Sequence, residues 1–158
     1  GRKYDKEGNL KVWWTNSSIG QYNERTQCYV EEYNNYYMHS INKTVDGNLT
    51  LGENLADNGG LREALMAYRT YVGANGKEPG LPGLQNYTHE QLFFLSFANM
   101  WCSDYTDYSL LESLKDEHSP NFVRVEMSLK NLREFAEAWS CPPGSNMNPE
   151  KRCHLWVD

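Results

Sequence analysis

The chain has 158 residues, of which 39% are hydrophobic and 13% aromatic, and it carries a net charge of −6 with a pI near 5.2. One domain is expected at this length. The acidic balance argues against nucleic-acid binding, which depends on a basic patch, and no apolar run approaches the roughly 18 residues that a membrane-spanning helix needs.

The N-terminus and the glycosylation sequons indicate the origin and compartment of the chain. It opens with the polar stretch GRKYDKEGNL and has neither an initiator Met nor an apolar signal segment. We therefore expect a piece cut from a longer protein, with a processed mature N-terminus as the alternative. Four cysteines and four Asn-x-Ser/Thr sequons favour an extracellular or cell-surface protein with its sequons in surface loops. The sequons lie at Asn16, Asn42, Asn48 and Asn86.

The first predicted element is a helix within residues 12–37, where apolar and aromatic side chains recur at steps of three and four residues. Its stripe consists of Ile19, Tyr22, Thr26, Tyr29, Tyr33 and Tyr36. A polar loop, INKTVDGNLT, separates it from a second helix predicted over about 51–72. Gly73 and the Gly- and Pro-rich segment that follows are expected to end the second helix.

Two further helices are predicted in the second half of the chain. Thr88 and Gln91 form a capping box for a helix that is apolar nearly all round and is therefore expected to be buried on most sides. After a loop around HSPN, the stretch FVRVEM is predicted to be extended. Asn131 with Glu134 is predicted to cap the last long helix, so the predicted class is mainly α.

Two carboxylates stand at the start of the second helix, within GENLADNGG. Glu53 and Asp57 are four residues apart and project from the same helix face. A solvated acidic face is the simple interpretation, but it does not explain the Gly59–Gly60 pair, because Gly costs about 1 kcal/mol inside a helix. The Gly pair indicates close approach of another backbone or helix. A cation near Glu53 would remove the repulsion between the two acids, and Asp57 could then orient a metal-bound His.

The chain resembles the neprilysin family of zinc metallopeptidases, which includes the endothelin-converting enzymes. The resemblance runs from the Trp13–Trp14 pair through GENLADNGG and HSPNFVR to the closing NPEKRCHLW. It implies that residues 1–158 are the C-terminal part of a neprilysin-like catalytic domain, with the thermolysin-like helical subdomain and little strand. The activity implied is hydrolysis of short peptides on the amino side of apolar residues, with zinc as cofactor and the remainder of the ectodomain as a partner.

The resemblance also implies a role for each of five residues. Glu53 corresponds to the third zinc ligand, and Asp57 to the acid that orients a zinc-binding His. His118 corresponds to the residue that stabilises the tetrahedral transition state, and Asp116 to the acid that holds it. Arg124 corresponds to the residue that binds a substrate carbonyl. Without the family context, a lone His or Arg is more often a plain surface residue or a salt-bridge partner.

Two features depart from the family pattern. The family usually reads HSPxxFR, whereas Val123 stands here where Phe is usual. The sequence therefore does not determine how the side chains under Arg124 pack. No HExxH stretch, which would carry the other two zinc ligands and the general base, occurs in the 158 residues. We therefore expect this chain alone to be inactive, to hold zinc weakly or not at all, and to self-associate through surfaces that its missing neighbours would cover.

The four cysteines allow three pairings, and their spacing does not choose among them. The resemblance implies a Cys28–Cys153 disulfide, with Cys102 and Cys141 pairing with cysteines outside this chain.

A rival interpretation of the whole chain is a non-catalytic extracellular interaction module, or an antigenic fragment of a pseudo-peptidase. An intact HExxH upstream of Gly1 would distinguish the enzyme from that rival.

Overall fold

A computed structural model gives the fold of residues 2–155, so Trp156 of the CHLW motif lies outside the described residues. Within that range the chain forms six helices and a single two-stranded antiparallel hairpin, and the predicted mainly α class is confirmed. The elements are α1 Asn16–Asn34, β1 Tyr37–Met38, β2 Lys43–Thr44, α2 Leu51–Asn75, α3 His89–Met100, α4 Asp107–Ser113, α5 Asn121–Lys130 and α6 Arg133–Ala138.

Helix α1 follows the predicted stripe. Thr15 caps its N-terminus, because the Thr15 side chain accepts a hydrogen bond from the backbone N–H of Ser18. Thr26, Tyr29 and Tyr33 of the stripe are buried. The helix therefore turns one aromatic face to the core and leaves the opposite face in solvent.

Helix α2 passes the point where the sequence predicted its end. It continues through Gly73 to Asn75, and Gly76, with φ of 81°, closes it by donating its N–H to the carbonyl of Val72. A single Gly inside a helix costs about 1 kcal/mol, and the packing of a long helix outweighs that cost. A residue with a left-handed φ ends a helix outright, and Gly adopts that conformation without strain.

Helix α3 has the predicted capping box, in which the side chains of Thr88 and Gln91 each bond the other residue's backbone N–H. The expectation that α3 is buried on most sides is wrong for the described chain. Phe94 is its one buried residue in this range, whereas Leu95 is 42% exposed and Met100 is 70% exposed. The helix packs on α6 along one face, so its other apolar side chains remain accessible.

The predicted extended stretch FVRVEM is helical and forms most of α5. Its buried positions, Val123 and Met127, are four residues apart, which is helical spacing, and a short apolar run cannot be assigned by periodicity alone. The predicted cap of the last helix is also wrong. Leu132, not Asn131, is the N-cap of α6, because the Asn131 side chain is used in contacts with α1, α2 and the C-terminal segment.

Two apolar clusters hold these elements together, and they meet along α2 and α5. The first joins α1, the hairpin, the start of α2, α4, α5 and the C-terminal segment around Tyr33, Leu55 and Val123. The second joins the middle of α2 to α3 and α6 around Leu65 and Phe94. Among the residues that the structure describes, no helix combines the length and the apolar character needed to cross a membrane.

Candidate active site

The predicted site residues come from two places that the fold brings together. Glu53 and Asp57 lie on successive turns at the start of α2. His118 lies in the loop between α4 and α5, and Arg124 lies in the first turn of α5. Because α2 and α5 pack against each other, the loop and the α5 N-terminus face the two α2 carboxylates.

Asp57 and Arg124 form a two-pronged ion pair. The Arg124 Nε donates to Asp57 Oδ2 at 2.6 Å, and Nη2 donates to Oδ1 at 2.7 Å. Both side chains are largely buried, with 13% of Arg124 and 10% of Asp57 exposed. The hydrogen bonding of the Arg124 guanidinium to the Asp57 carboxylate is the main cause that raises the pKa of Arg124 above its usual value. Fork-to-fork pairs of this kind fix orientation as well as charge.

Trp101 supports the guanidinium from the other side. The Arg124 Cζ lies 3.8 Å from the centroid of the Trp101 ring, which is cation–π distance. Trp101 follows α3 directly, so α3 contributes to the site although the sequence analysis treated this helix only as core. No local pattern marks Trp101, which comes at the end of a largely apolar helix.

His118 lies between two carboxylates. Its Nδ1 is 2.7 Å from Asp116 Oδ1, and its Nε2 is 3.2 Å from Glu53 Oε2. Asp116 also accepts the backbone N–H of His118 at 2.8 Å, and this bond is the largest cause that lowers the pKa of the Asp116 carboxyl. In a protonated ring both nitrogens donate, so the arrangement suits a His that presents a proton towards Glu53.

A buried hydrogen bond lies directly behind His118 and Glu53. Ser119 donates through Oγ to Asn54 Oδ1 at 2.8 Å, and both residues are almost fully buried. Sequence reasoning gave neither Asn54 nor Ser119 a role. The signal available was position, because each of these residues directly follows a predicted site residue.

The side chains present match a zinc site only in part. Glu53 has 37% of its side chain exposed and offers a carboxylate oxygen, which zinc accepts, but a catalytic zinc needs three protein ligands. Within residues 2–155, no group of three or more His, Cys, Asp or Glu side chains is placed to hold a metal ion. Glu53 fits as one member of a ligand set that the described residues do not complete.

The remaining predicted residues are the four cysteines, Val123 and the sequon asparagines. Cys28 of α1 and Cys153 of the C-terminal segment form a disulfide with a Cα–Cα distance of 5.6 Å, and Cys102 and Cys141 are free thiols. Val123 is fully buried in the first apolar cluster, so the position under Arg124 is filled. The four sequon asparagines, Asn16, Asn42, Asn48 and Asn86, are all exposed, but Asn16 is the first residue of α1 and only the other three lie in loops as predicted.

The chain matches a known protein family and known proteins along nearly its whole length. The model of peptidase family M13 matches residues 1–155. Neprilysin-11 of Caenorhabditis elegans is 47% identical over 157 residues, which cover 99% of this chain and 18% of that protein. Human endothelin-converting enzyme 1 is 52% identical over 158 residues, which cover 99% of this chain and 20% of that protein. The chain thus spans about a fifth of the length of these relatives.

Solved structures share the fold. A galactose-containing glycoprotein complex of Haemonchus superposes with a TM-score of 0.89 at 34% identity, covering 99% of this chain and 26% of that one. A zinc metalloprotease of Mycobacterium tuberculosis, solved with an inhibitor, superposes with a TM-score of 0.87 at 30% identity, covering 99% of this chain and 24% of that one.

Proposed function

This chain belongs to peptidase family M13, and from that premise we propose that it is the C-terminal part of the catalytic domain of a zinc-dependent metalloendopeptidase that hydrolyses peptide bonds in short peptides. The observation that carries the proposal is the convergence of Glu53, Asp57, His118 and Arg124 on one face, from positions up to 71 residues apart in sequence. A plain structural ion pair would not explain why His118 also turns its ring towards Glu53.

Arg124 and Asp57 have bonding capacity beyond their mutual pair. A guanidinium has five N–H donors, of which Asp57 takes two. The remaining donors support the role of binding a substrate carbonyl. A carboxylate accepts at about four lone-pair sites, so Asp57 retains room for the ring N–H of a metal-bound His. The pair therefore supports both roles that the family resemblance implies.

His118 supports the role of a transition-state donor. Asp116 holds its Nδ1, so Nε2 points towards Glu53. A donor aimed at a developing oxyanion typically contributes about 3–4 kcal/mol. We propose that Nε2 donates to that oxygen and that Asp116 keeps the ring in the productive orientation.

Glu53 is the proposed third zinc ligand, and the two His ligands come from an HExxH segment elsewhere in the full-length protein. When bound, the metal activates water and polarises the scissile carbonyl. Glu53 is available for this role, because 37% of its side chain is exposed on the first turn of α2 and, within residues 2–155, its ion-pair partner is His118. This chain alone is therefore proposed to be inactive.

An apolar groove between α2 and α3 is the proposed contact with the remainder of the catalytic domain. The groove encloses about 350 Å³ and passes Asp57 at one end. A side chain added at Gly60 would meet nothing within 4 Å among the described residues, so at Gly60 the close approach that the Gly pair predicted is not made within residues 2–155. Exposed Met100 lies at the rim beside Trp101, which supports a preference for an apolar substrate side chain. Without its covering segment, this groove would favour self-association of the isolated chain.

We further propose that the full-length protein is an extracellular or cell-surface glycoprotein. The exposure of Asn16, Asn42, Asn48 and Asn86 supports glycan attachment, and the Cys28–Cys153 disulfide supports an oxidising compartment. The exposed Cys102 thiol is available for a partner outside this chain.

The test uses the full-length protein with a peptide substrate. Glu53→Ala should lose zinc, whereas His118→Ala should keep zinc and KM while kcat falls roughly a hundredfold. His39→Ala is the matched control, because His39 is exposed and contacts only the ring of Tyr37 edge-to-face at the hairpin, among the contacts that the structure describes. An unchanged kcat in His118→Ala would refute the oxyanion role. A full-length protein that binds no zinc and cleaves no peptide would instead support the pseudo-peptidase alternative.

A further inference from the structure

Each of the two residues that face each other across the site has a buried neighbour. Asn54 directly follows Glu53, and Ser119 directly follows His118. Consecutive helix positions project in different directions, so Glu53 points to the open face while Asn54, 1% exposed, points to the interior. Ser119, 3% exposed, points to the same interior. The Ser119–Asn54 hydrogen bond therefore runs parallel to the His118–Glu53 contact, one residue further along each segment.

The Asn54 amide has one fixed orientation. Its Nδ2 donates to Thr50 Oγ1 at 2.8 Å, and the Thr50 hydroxyl donates in turn to the carbonyl of Asp46 at 2.9 Å. Because Thr50 Oγ1 has already used its proton, Asn54 must present Nδ2 there and Oδ1 to Ser119. The Asn54 backbone carbonyl also accepts from Asn58 Nδ2 at 2.8 Å. Asn54 is thus a rigid acceptor anchored to the N-terminal turn of α2.

The segment that carries His118 is held at its two ends, where Leu114 packs on the first apolar cluster and Pro120 is the N-cap of α5. Between those ends, residues 115–119 belong to no helix or strand. The bond from His118 to Asp116 lies within the segment and so cannot set its distance from α2. Apart from the His118 ring itself, the hydrogen bond that links this segment to α2 is the one from Ser119 to Asn54.

We propose that Asn54 and Ser119 are positioning residues, whose buried hydrogen bond sets the place of the His118 ring relative to Glu53. The expected effect on catalysis rests on the proposed function. The position of the His118 ring relative to Glu53 can be measured in this chain alone. Catalytic groups must be held within about 0.5 Å of the productive geometry, and a misplacement of about 1 Å can cost roughly a hundredfold in rate. Losing the bond should therefore lower kcat without removing a zinc ligand or a substrate contact.

The first measurement needs neither zinc nor activity. At fixed pH, the nuclear Overhauser effect between the His118 ring protons and the Glu53 side-chain methylenes is recorded in this chain. It should be present in the wild type and lost in Ser119→Ala. Ser113→Ala is the matched control, because the Ser113 side chain donates a 2.8 Å hydrogen bond to the carbonyl of Leu110 within α4 and makes no hydrogen bond to α2. That control should retain the effect.

A second variant guards against misfolding. The double variant Asn54→Ala with Ser119→Ala removes both side chains of the hydrogen bond, so neither is left buried without the other. It should also lose the Overhauser effect while its far-ultraviolet circular dichroism spectrum stays helical. A folded Ser119→Ala or double variant that keeps the full effect would overturn the proposal, as would its absence from the wild type.

The second measurement tests the catalytic consequence in the full-length protein. Ser119→Ala should lower kcat roughly ten- to a hundredfold with KM and zinc content unchanged, and Ser113→Ala should not. An unchanged kcat in Ser119→Ala would overturn the positioning role. A wild-type protein without activity would count against the proposed function instead, and the Overhauser measurement would still decide the geometry.

Discussion

The Asp57–Arg124 pair should be worth far more to stability than a surface pair of the same geometry. Removing Arg124 would leave the Asp57 carboxylate, 10% exposed, without its partner. Breaking a buried ion pair in this way costs about 3–5 kcal/mol. Because 13% of Arg124 reaches solvent, we expect Arg124→Ala to lower the free energy of unfolding by about 3 kcal/mol, the lower end of that range. This figure includes the lost contact with Trp101. For a chain of this size that corresponds to roughly 6–12 °C in Tm.

The chain provides its own control. Arg69 and Glu90 form the same fork, with distances of 2.7 and 2.9 Å, but 44% of Arg69 and 32% of Glu90 are exposed. The Arg69 hydrogen bond lowers the pKa of Glu90, yet solvent screens such pairs, which contribute about 0.2–1 kcal/mol. The two pairs therefore differ in burial and share their hydrogen-bond geometry.

The assay is a pair of double-mutant cycles on this chain, each followed by urea unfolding. One cycle uses Asp57→Ala, Arg124→Ala and their combination, and the other uses Arg69→Ala, Glu90→Ala and their combination. The coupling energy should be about 2 kcal/mol or more for the first pair and below about 1 kcal/mol for the second. Equal coupling energies would refute the reasoning that burial, rather than fork geometry, decides the strength of the site pair.

Three further predictions concern the scaffold. Burial raises the pKa of Glu32 above its ordinary 4.5, so the stability of the wild type should fall relative to Glu32→Gln as pH rises above about 4.5, and thermal melts at pH 4 and pH 7 measure the difference. Replacing Cys28 and Cys153 by Ser, which opens a link across 125 residues, should cost about 4–5 kcal/mol in urea unfolding, and an unchanged midpoint would contradict this. Gly47→Ala would place a Cβ 2.4 Å from the Val30 carbonyl oxygen and should cost about 2–3 kcal/mol, whereas Gly20→Ala, with open space at its Cβ, should not destabilise the chain.

Local patterns were enough to predict α1, α2 and the start of α3, but not α5, which carries Arg124. The spacing of Glu53 and Asp57 placed both acids on one face at the start of a helix, and the structure has them at the start of α2. Helical spacing of aromatic residues predicted α1, and the Thr88–Gln91 capping box predicted the start of α3. These features depend on residues within one or two helical turns of each other, so they can be predicted from the sequence itself.

The errors came where a segment's state depends on what packs against it. FVRVEM has a short apolar run that suits a strand or a helix, and its contacts with α2 decide for a helix. The α3 sequence predicted burial on most sides, but burial is set by the neighbours that are present, and within the described residues those cover one face. Composition records how much apolar surface an element has and not what covers it.

The arrangement of the site was decided by tertiary structure. Sequence spacing left Arg124 and Asp57, 67 residues apart, as separate functional candidates, and it assigned nothing to Trp101 or Ser119. The packing of α5 on α2 joins the first pair and buries Ser119 against Asn54, and the end of α3 places Trp101 over the guanidinium. Hydrogen bonds and ring contacts act over about 3–4 Å, so residues far apart in sequence form them only after the helices have packed and fixed their separation.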